Sequence, residues 1–339
     1  MMKNLSKLIY ALIAFTLLFT GCSKDDDGSD PDPQADVYIS GYTIAGKACY
    51  WSNGQVTTLS SPFGDLWRTE TSDIVVAHGK VYMSGTDRHP DGGSVACYYK
   101  DHIYNNVTMR TSADHNASAH AIFVDGNDVY VAGDETRPNQ YTRAKYWKNG
   151  QEVALSNGAY PAHANDIYVS AGDVHVVGHD AGKAIYWKNG QRQVLDDLET
   201  ASAVFVKNND VYIAGTKVVN NKTHAAYMKN GIVAELSERA WVSDLFVDGN
   251  DVYTSGGIST ATAQQGGNAK GVYWKNQQLV DLTGDGVENN TGGIFVFNKN
   301  VYVVGRTNSQ PVYWVNGNKT ALTANNEAYA SAIYVVDKK

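Results

Sequence analysis

The sequence predicts an all-β fold, a seven-bladed β-propeller with four antiparallel strands per blade, its ring closed by the C-terminal strand joining the N-terminal blade. Three observations predict it. One pattern recurs seven times between residue 36 and the C-terminus, every copy holds four short β-rich runs, and the array is offset by one strand at its ends.

The pattern reads Ile-Phe-Val, a tight turn, Asp-Val-Tyr-Val-Ala-Gly, a loop, Ala-x-Tyr-Trp-Lys-Asn-Gly, then a run ending in Leu. Its Val-Tyr element begins at Val37, Val81, Val129, Val174, Val211, Val252 and Val301, a period of 37 to 49 residues. That is the size of a propeller blade. Its closing glycine falls at Gly41, Gly85, Gly133, Gly178, Gly215, Gly256 and Gly305, and Tyr99 and Met228 replace the Trp in the second and fifth copies. Runs such as Val129-Tyr130-Val131 and Ile185-Tyr186-Trp187 are apolar on both faces. A sheet sandwiched between two others requires this.

The array opens at Asp36-Val37-Tyr38 with no Ile-Phe-Val before it, and closes at Ala332-Ile333-Tyr334-Val335 with no strand after it. With strands named A to D from the axis outward, the first blade takes B, C and D from the N-terminal part and A from Ile333 to Val335. Such a staple leaves no open edge between first and last blades.

Connection lengths separate the two faces of the disc. The A-to-B step is five residues throughout, as from Val76 to Val81, with Asp125-Gly126 and Asp248-Gly249 as turn pairs. The step from the Trp position to the Leu of strand D is eight in every repeat but the second, around Asn-Gly turns such as Asn53-Gly54 and Asn149-Gly150. B-to-C connections run from eight to seventeen residues and D-to-A connections from nine to fifteen. These variable loops share one face. Loops on a rigid scaffold carry most binding residues, so the functional site is expected there, around the mouth of the central channel.

The D-to-A segments on that face carry Trp67, His115, His120, Tyr160, His163, Trp241 and Tyr329. Trp67, His115 and Tyr160 stand seven before the strand A apolar residue, Trp241 and Tyr329 four before it. Aromatic rings so placed are candidates to stack on sugars or other planar ligands. Asp73, Asp166 and Asp244 immediately precede the strand A apolar residue in three non-consecutive blades. They are weak candidates for Ca2+ or another hard cation, with hydrogen bonding to neighbouring backbone as the competing expectation. The recurring Tyr-Trp pairs are expected to pack blade against blade. Cys49 and Cys97 hold equivalent positions in adjacent repeats, too far apart for a disulfide, and are expected to be small buried hydrophobes.

Ahead of the repeats, Lys3 and Lys7 precede an uncharged run from Leu8 to Thr20 that ends at Gly21-Cys22. The run is too short to span a bilayer comfortably, and the arrangement resembles the lipobox of bacterial lipoproteins. That resemblance implies a signal peptide over residues 1–21, lipidation of Cys22, and attachment to a membrane through the lipid only. Residues 22–35 then form an acidic stretch expected to be a disordered tether, and residues 36–339 the propeller. The Ser-Lys-Asp-Asp-Asp run after Cys22 resembles the export signal of Bacteroidota-type surface lipoproteins, which implies the cell envelope and the outer membrane.

The net charge of −7 comes partly from the tether and its junction with the first repeat, where Asp25, Asp26, Asp27, Asp30, Asp32 and Asp36 stand against Lys24. The repeats carry no basic stripe, which argues against nucleic acid as a partner. No Gly-x-Ser-x-Gly elbow, His-Glu-x-x-His, Walker loop or zinc-spaced cysteine pair occurs. Taken whole, residues 36–337 resemble propeller lipoproteins with Tyr-Trp-Lys-Asn-Gly repeats, which implies fold and not activity. The leading expectation is a monomeric, non-enzymatic module that binds a glycan or a protein through the variable-loop face. Second comes a propeller lyase or hydrolase using His115, His120 or His163 with a metal, and third a scaffold subunit of an envelope complex.

Overall fold

The computed structural model describes residues 34–64, 66–109, 111–260, 269–283, 289–322 and 328–338. The expected signal peptide, the lipidation site Cys22 and nearly all of the tether lie outside the described residues. Seven four-stranded antiparallel sheets make up the described chain. Blade 1 has the order Ala328–Asp337, Ala35–Thr43, Ala48–Ser52, Gln55–Thr58, so the last strand of the chain is the innermost strand of the first blade. Its register runs from Ala35 opposite Asp337 to Thr43 opposite Ala328. Blades 2 to 7 follow in chain order, each a simple meander. Among the described residues no helix is long and apolar enough to cross a membrane.

The two-sided apolarity of the strands becomes seven buried clusters, one at each interface between neighbouring blades. In each Tyr-Trp pair the side chains point to opposite faces, as strand alternation dictates. Trp187 of blade 4 packs with Ala132 and Ala144 of blade 3, while Tyr186 packs toward Ala201 and Ala226 of blade 5. Trp51 does the same across the closure, against Tyr302 and Val304 of blade 7. Five of these tryptophans are at most 2% exposed; truncating such a residue to Ala typically costs about 3–5 kcal/mol. Tyr99 and Met228 fill the same layer in blades 2 and 5. Cys49 and Cys97 are free, fully buried and in different clusters.

The turn face is held by the recurring polar residues. The Asn of each Asn-Gly turn accepts from the backbone N–H of the strand B Val, as Asn149 does from Val129 at 2.9 Å, and donates to the residue before that Val, here Asp128 at 2.7 Å and in blade 7 Asn300. Lys148 pairs with the same Asp and lies over Tyr130. Blades 5 and 6 repeat the arrangement with Lys229 and Lys275. The Lys and Asn of the repeat are therefore structural. One detail of the turns differs from expectation. Asp125 pairs with Asp128 and Asp248 with Asp251 as the last rung of their hairpins, so the corners are Gly126-Asn127 and Gly249-Asn250, with both glycines at φ 56°.

A β-bulge in strand A of every blade lies opposite the closing glycine of strand B. The carbonyl just before the bulge presses on that glycine: a Cβ at Gly133 would lie 1.9 Å from the Ser118 oxygen, and one at Gly178 2.0 Å from that of His163. No other residue fits. This explains the invariance of a position that the sequence pattern marks only as the end of a strand.

Deleting residues 328–338 removes the inner strand of blade 1 and exposes an edge on both sides of the closure. The truncated chain is expected to lose its cooperative thermal transition, followed by far-UV circular dichroism; a transition of unchanged midpoint would show that closure is dispensable.

Candidate functional site

Each bulge leaves one residue without a cross-strand partner, or in blade 7 the pair Gly292 and Gly293, and one unpaired residue per blade lines the mouth of the channel. They are Ser72, Asn165, Ser202, Ser243, Gly292 and Ser331 in six blades and His120 in blade 3. Seven side chains converging on one axis must be small. His120 is the departure, and it lies within strand A (Asn116–Asp125) and not in a loop.

Beneath this ring, the middle residue of the Ile-Phe-Val motif points into a channel cavity of about 470 Å³. Phe123, Tyr168, Phe205, Phe246, Phe295 and Tyr334 form a tilted arc with successive centroids 4.6–5.1 Å apart. Val75 takes the seventh place.

Asp73, Asp166 and Asp244 also line the channel, and each is committed to backbone. Asp73 accepts from its own neighbour Ile74 at 2.7 Å and from Ile122 of blade 3 at 2.9 Å. Asp166 bridges to Val204 of blade 5 and Asp244 to Ile294 of blade 7 in the same way. The three aspartates thus tie blades 2 to 3, 4 to 5 and 6 to 7, which is why they occur in alternate blades. They do not form a cation cluster: among the described residues, the group of three ligating side chains with donor atoms within 4.8 Å of one another is His120, Asp134 and His163. The Ca2+ expectation placed on Asp73, Asp166 and Asp244 is corrected accordingly. Enclosure in the channel raises Asp73 to about 7, with a contribution from Asp244, and Asp244 to about 6. Asp166 is raised too.

The residue after the closing glycine is Thr in blades 2 and 5 and a different residue in each of the other five, and it is paired with a residue of strand A. Two clusters arise there. Between blades 3 and 4, His120 Nε2 and His163 Nδ1 each lie 2.7 Å from Asp134 Oδ2, and His179 stacks on His163 with centroids 4.6 Å apart. Burial opposes ionisation of Asp134, but the hydrogen bonds from His120 and His163 take it down to about 2. The same contact raises His163, while burial and the neighbouring His163 lower His179.

The second cluster joins blades 6, 7 and 1 around a cavity of about 570 Å³. Tyr42 and Tyr329 stack at 4.9 Å, and the Arg306 guanidinium sits 4.1 Å above Tyr329. Trp241 lies over Gly257, where a Cβ would meet its ring at 2.2 Å; the glycine makes room for the indole. The buried Nε of Arg306 has no hydrogen-bond partner among the described residues. Ser243, Gly292 and Ser331 line both this cavity and the channel, so the two open onto one mouth.

Of the sequence candidates, His120, His163, Trp241 and Tyr329 reach these clusters, and Trp67, His115 and Tyr160 do not. Trp67 packs on Phe63 and His89 in a patch outside the channel cavity. Tyr160 is 61% exposed on its loop. His115 is buried, donating from Nε2 to Glu135 at 2.8 Å and accepting the Thr111 N–H. Glu135 also pairs with Lys145, a buried lysine at the position that Cys49, Cys97 and Ile185 fill elsewhere. Asp134, His179, Tyr42 and Arg306 were missed by sequence reasoning. Aligning the repeats on the closing glycine would have found them, because all four follow it directly.

No protein-family model matches the chain, and no curated protein matches it. Among solved structures the fold is similar to the periplasmic gluconolactonase of Pseudomonas aeruginosa (TM-score 0.49, 11% identity, covering 89% of this chain and 99% of that one). It is also similar to a prolyl endopeptidase (TM-score 0.48, 11% identity, 90% of this chain and 51% of that one). A third likeness is to the β-propeller domain of the trilobed protease from Pyrococcus furiosus (TM-score 0.45, 10% identity, 75% of this chain and 83% of that one). The chain spans about half the length of the prolyl endopeptidase. These likenesses are of fold alone.

Two expectations follow. A carboxyl raised in the folded state favours the native chain fully below the unfolded value of about 3.9 and loses that contribution as pH rises through 6 to 7. The melting temperature of the wild type minus that of Asp73→Asn should therefore fall between pH 5 and pH 8; a constant difference would contradict the shift. Lys145→Ala leaves the buried Glu135 with Arg137, 3.3 Å away, as its remaining cation, and should destabilise the chain in denaturant unfolding by less than the roughly 3–5 kcal/mol of a wholly uncompensated buried charge; an unchanged midpoint would contradict the pairing.

Proposed function

We propose that this chain is a lipid-anchored module of the cell envelope that binds a glycan carrying a carboxylate at the rim cavity of blades 6, 7 and 1. The observation that carries the reading is Arg306, whose guanidinium is set over Tyr329 beside the Tyr42 stack and Trp241, with its Nε lacking a partner among the described residues. Aromatic faces take up the apolar faces of sugar rings. The planar fork of Arg matches a carboxylate in two parallel hydrogen bonds, and the cation over the Tyr329 ring is already held in place. A cavity of about 570 Å³ falls within the range typical of small-ligand sites.

Attachment to the outer membrane through Cys22 belongs to the same proposal and is supported by the Gly21-Cys22 boundary after the uncharged run. An acidic tether would hold the propeller away from the membrane surface, leaving the variable-loop face free to meet soluble or wall-bound polymer.

Binding of uronic-acid oligosaccharides, measured by calorimetry on the full chain, should weaken by about tenfold or more in Trp241→Ala and in Arg306→Ala. Neutral oligosaccharides of the same linkage should bind less tightly to the wild type and be indifferent to Arg306→Ala. Acidic glycans binding equally well to both variants, or not at all to the wild type, would overturn the reading.

A further inference from the structure

Four departures from the repeat gather at one place. His120 stands where the other blades have Ser, Asn or Gly; Asp134 and His179 each follow a closing glycine; and His163 begins the next inner strand. Recurrent positions are explained by blade packing, but these four are not. His120 and His163 come from neighbouring blades onto one carboxylate oxygen, and their side chains remain 35% and 34% exposed against 10% for Asp134. A histidine half open to solvent at a crowded mouth adds little packing.

We propose that His120 Nε2, Asp134 Oδ2 and His163 Nδ1 form a site for one divalent first-row transition ion, bridging blades 3 and 4 at the channel mouth. Two imidazole nitrogens and one carboxylate oxygen are donors for Zn2+ and its neighbours, whereas Ca2+ takes six to eight oxygens. Bond lengths of about 2.0–2.2 Å place tetrahedral ligand atoms roughly 3.3 Å apart. The Asp134 oxygen, now 2.7 Å from both nitrogens, has to withdraw by about half an ångström, which a turn of the carboxylate supplies. Three protein ligands leave a fourth position facing the mouth, where water or a ligand oxygen completes the coordination. The ring of His179, stacked on His163, fixes the orientation of that ligand. The site stands apart from the Arg306 cavity and does not depend on the glycan reading.

The full chain, prepared without a histidine tag, is titrated with Zn2+ by calorimetry and with Co2+ by visible absorption. The expected result is one ion per chain, at least tenfold weaker binding in His120→Ala and in His163→Ala, and unchanged binding in Trp67→Ala. Zn2+ should raise the melting temperature of the wild type and not of the variants. Should an alanine variant fail to fold, Asp134→Asn keeps the side-chain shape and serves the same comparison. No stoichiometric binding to the wild type, or equal affinity in the folded variants, would overturn the proposal.

Discussion

The ring depends on one set of backbone hydrogen bonds, those between Ala328–Asp337 and Ala35–Thr43. Every other blade is a meander of consecutive strands, and its pairing involves residues close in sequence. Only this pairing spans the chain. It brings blade 1 into contact with both blade 2 and blade 7, so that Trp51 buries against Tyr302 and Tyr50 against Met83 and Tyr99. Without it two interfaces lose their inner strand, and the apolar layers that the Tyr-Trp pairs build on both faces of each sheet would meet water at the break. The pairing costs a large loop closure, but the entropy of closing a loop grows only with the logarithm of its length, and two buried clusters repay it.

Closure fixes an axis, and the bulges then decide what faces it. Because the carbonyl before each bulge rests on a glycine, the chain turns one additional side chain toward the mouth in every blade. The same device gives the mouth seven similar positions and makes a single substitution conspicuous. The aspartate bridges act one layer deeper. A carboxylate that takes an N–H from its own strand and another from the next blade replaces a hydrogen-bond partner that inner strands, splayed around a ring, do not give one another. Three joints carry such bridges; others are tied by different side chains, as Thr71 donates to the Gly41 carbonyl between blades 1 and 2 and Trp274 to Ser237 between blades 5 and 6.

Most of the architecture is legible in the sequence because a propeller repeats its physics. Closing glycines recur in all seven copies, and Asn-Gly turns and Tyr-Trp pairs in five each, so each is read many times over, and the offset of Val37 and Ile333 reveals the closure. The site is less legible. Position relative to the strand A apolar residue grouped Trp67, His115 and Tyr160 with the mouth, although seven residues upstream the chain is still outside it and each side chain finds its own environment. Asp134 and Arg306 stand inside strands, where a search of loops passes over them. His120 was visible as a residue but not as a bulge, since a bulge is a property of pairing and leaves no mark in one strand alone.

The two faces divide the work of the sequence. On the turn face, Asp, Asn, Lys and Tyr recur because each clasps the start of a strand, and a change there would be felt as stability. On the rim, four of the seven residues after the closing glycine do four different jobs: Tyr42 stacks, Asp134 gathers two histidines, Gly257 yields space to Trp241, and Arg306 holds a charge over a ring. Selection for the fold alone would leave these positions alike or indifferent. That they instead complement their cross-strand and cross-blade partners, in two clusters opening onto one mouth, locates the chemistry of the protein on that face.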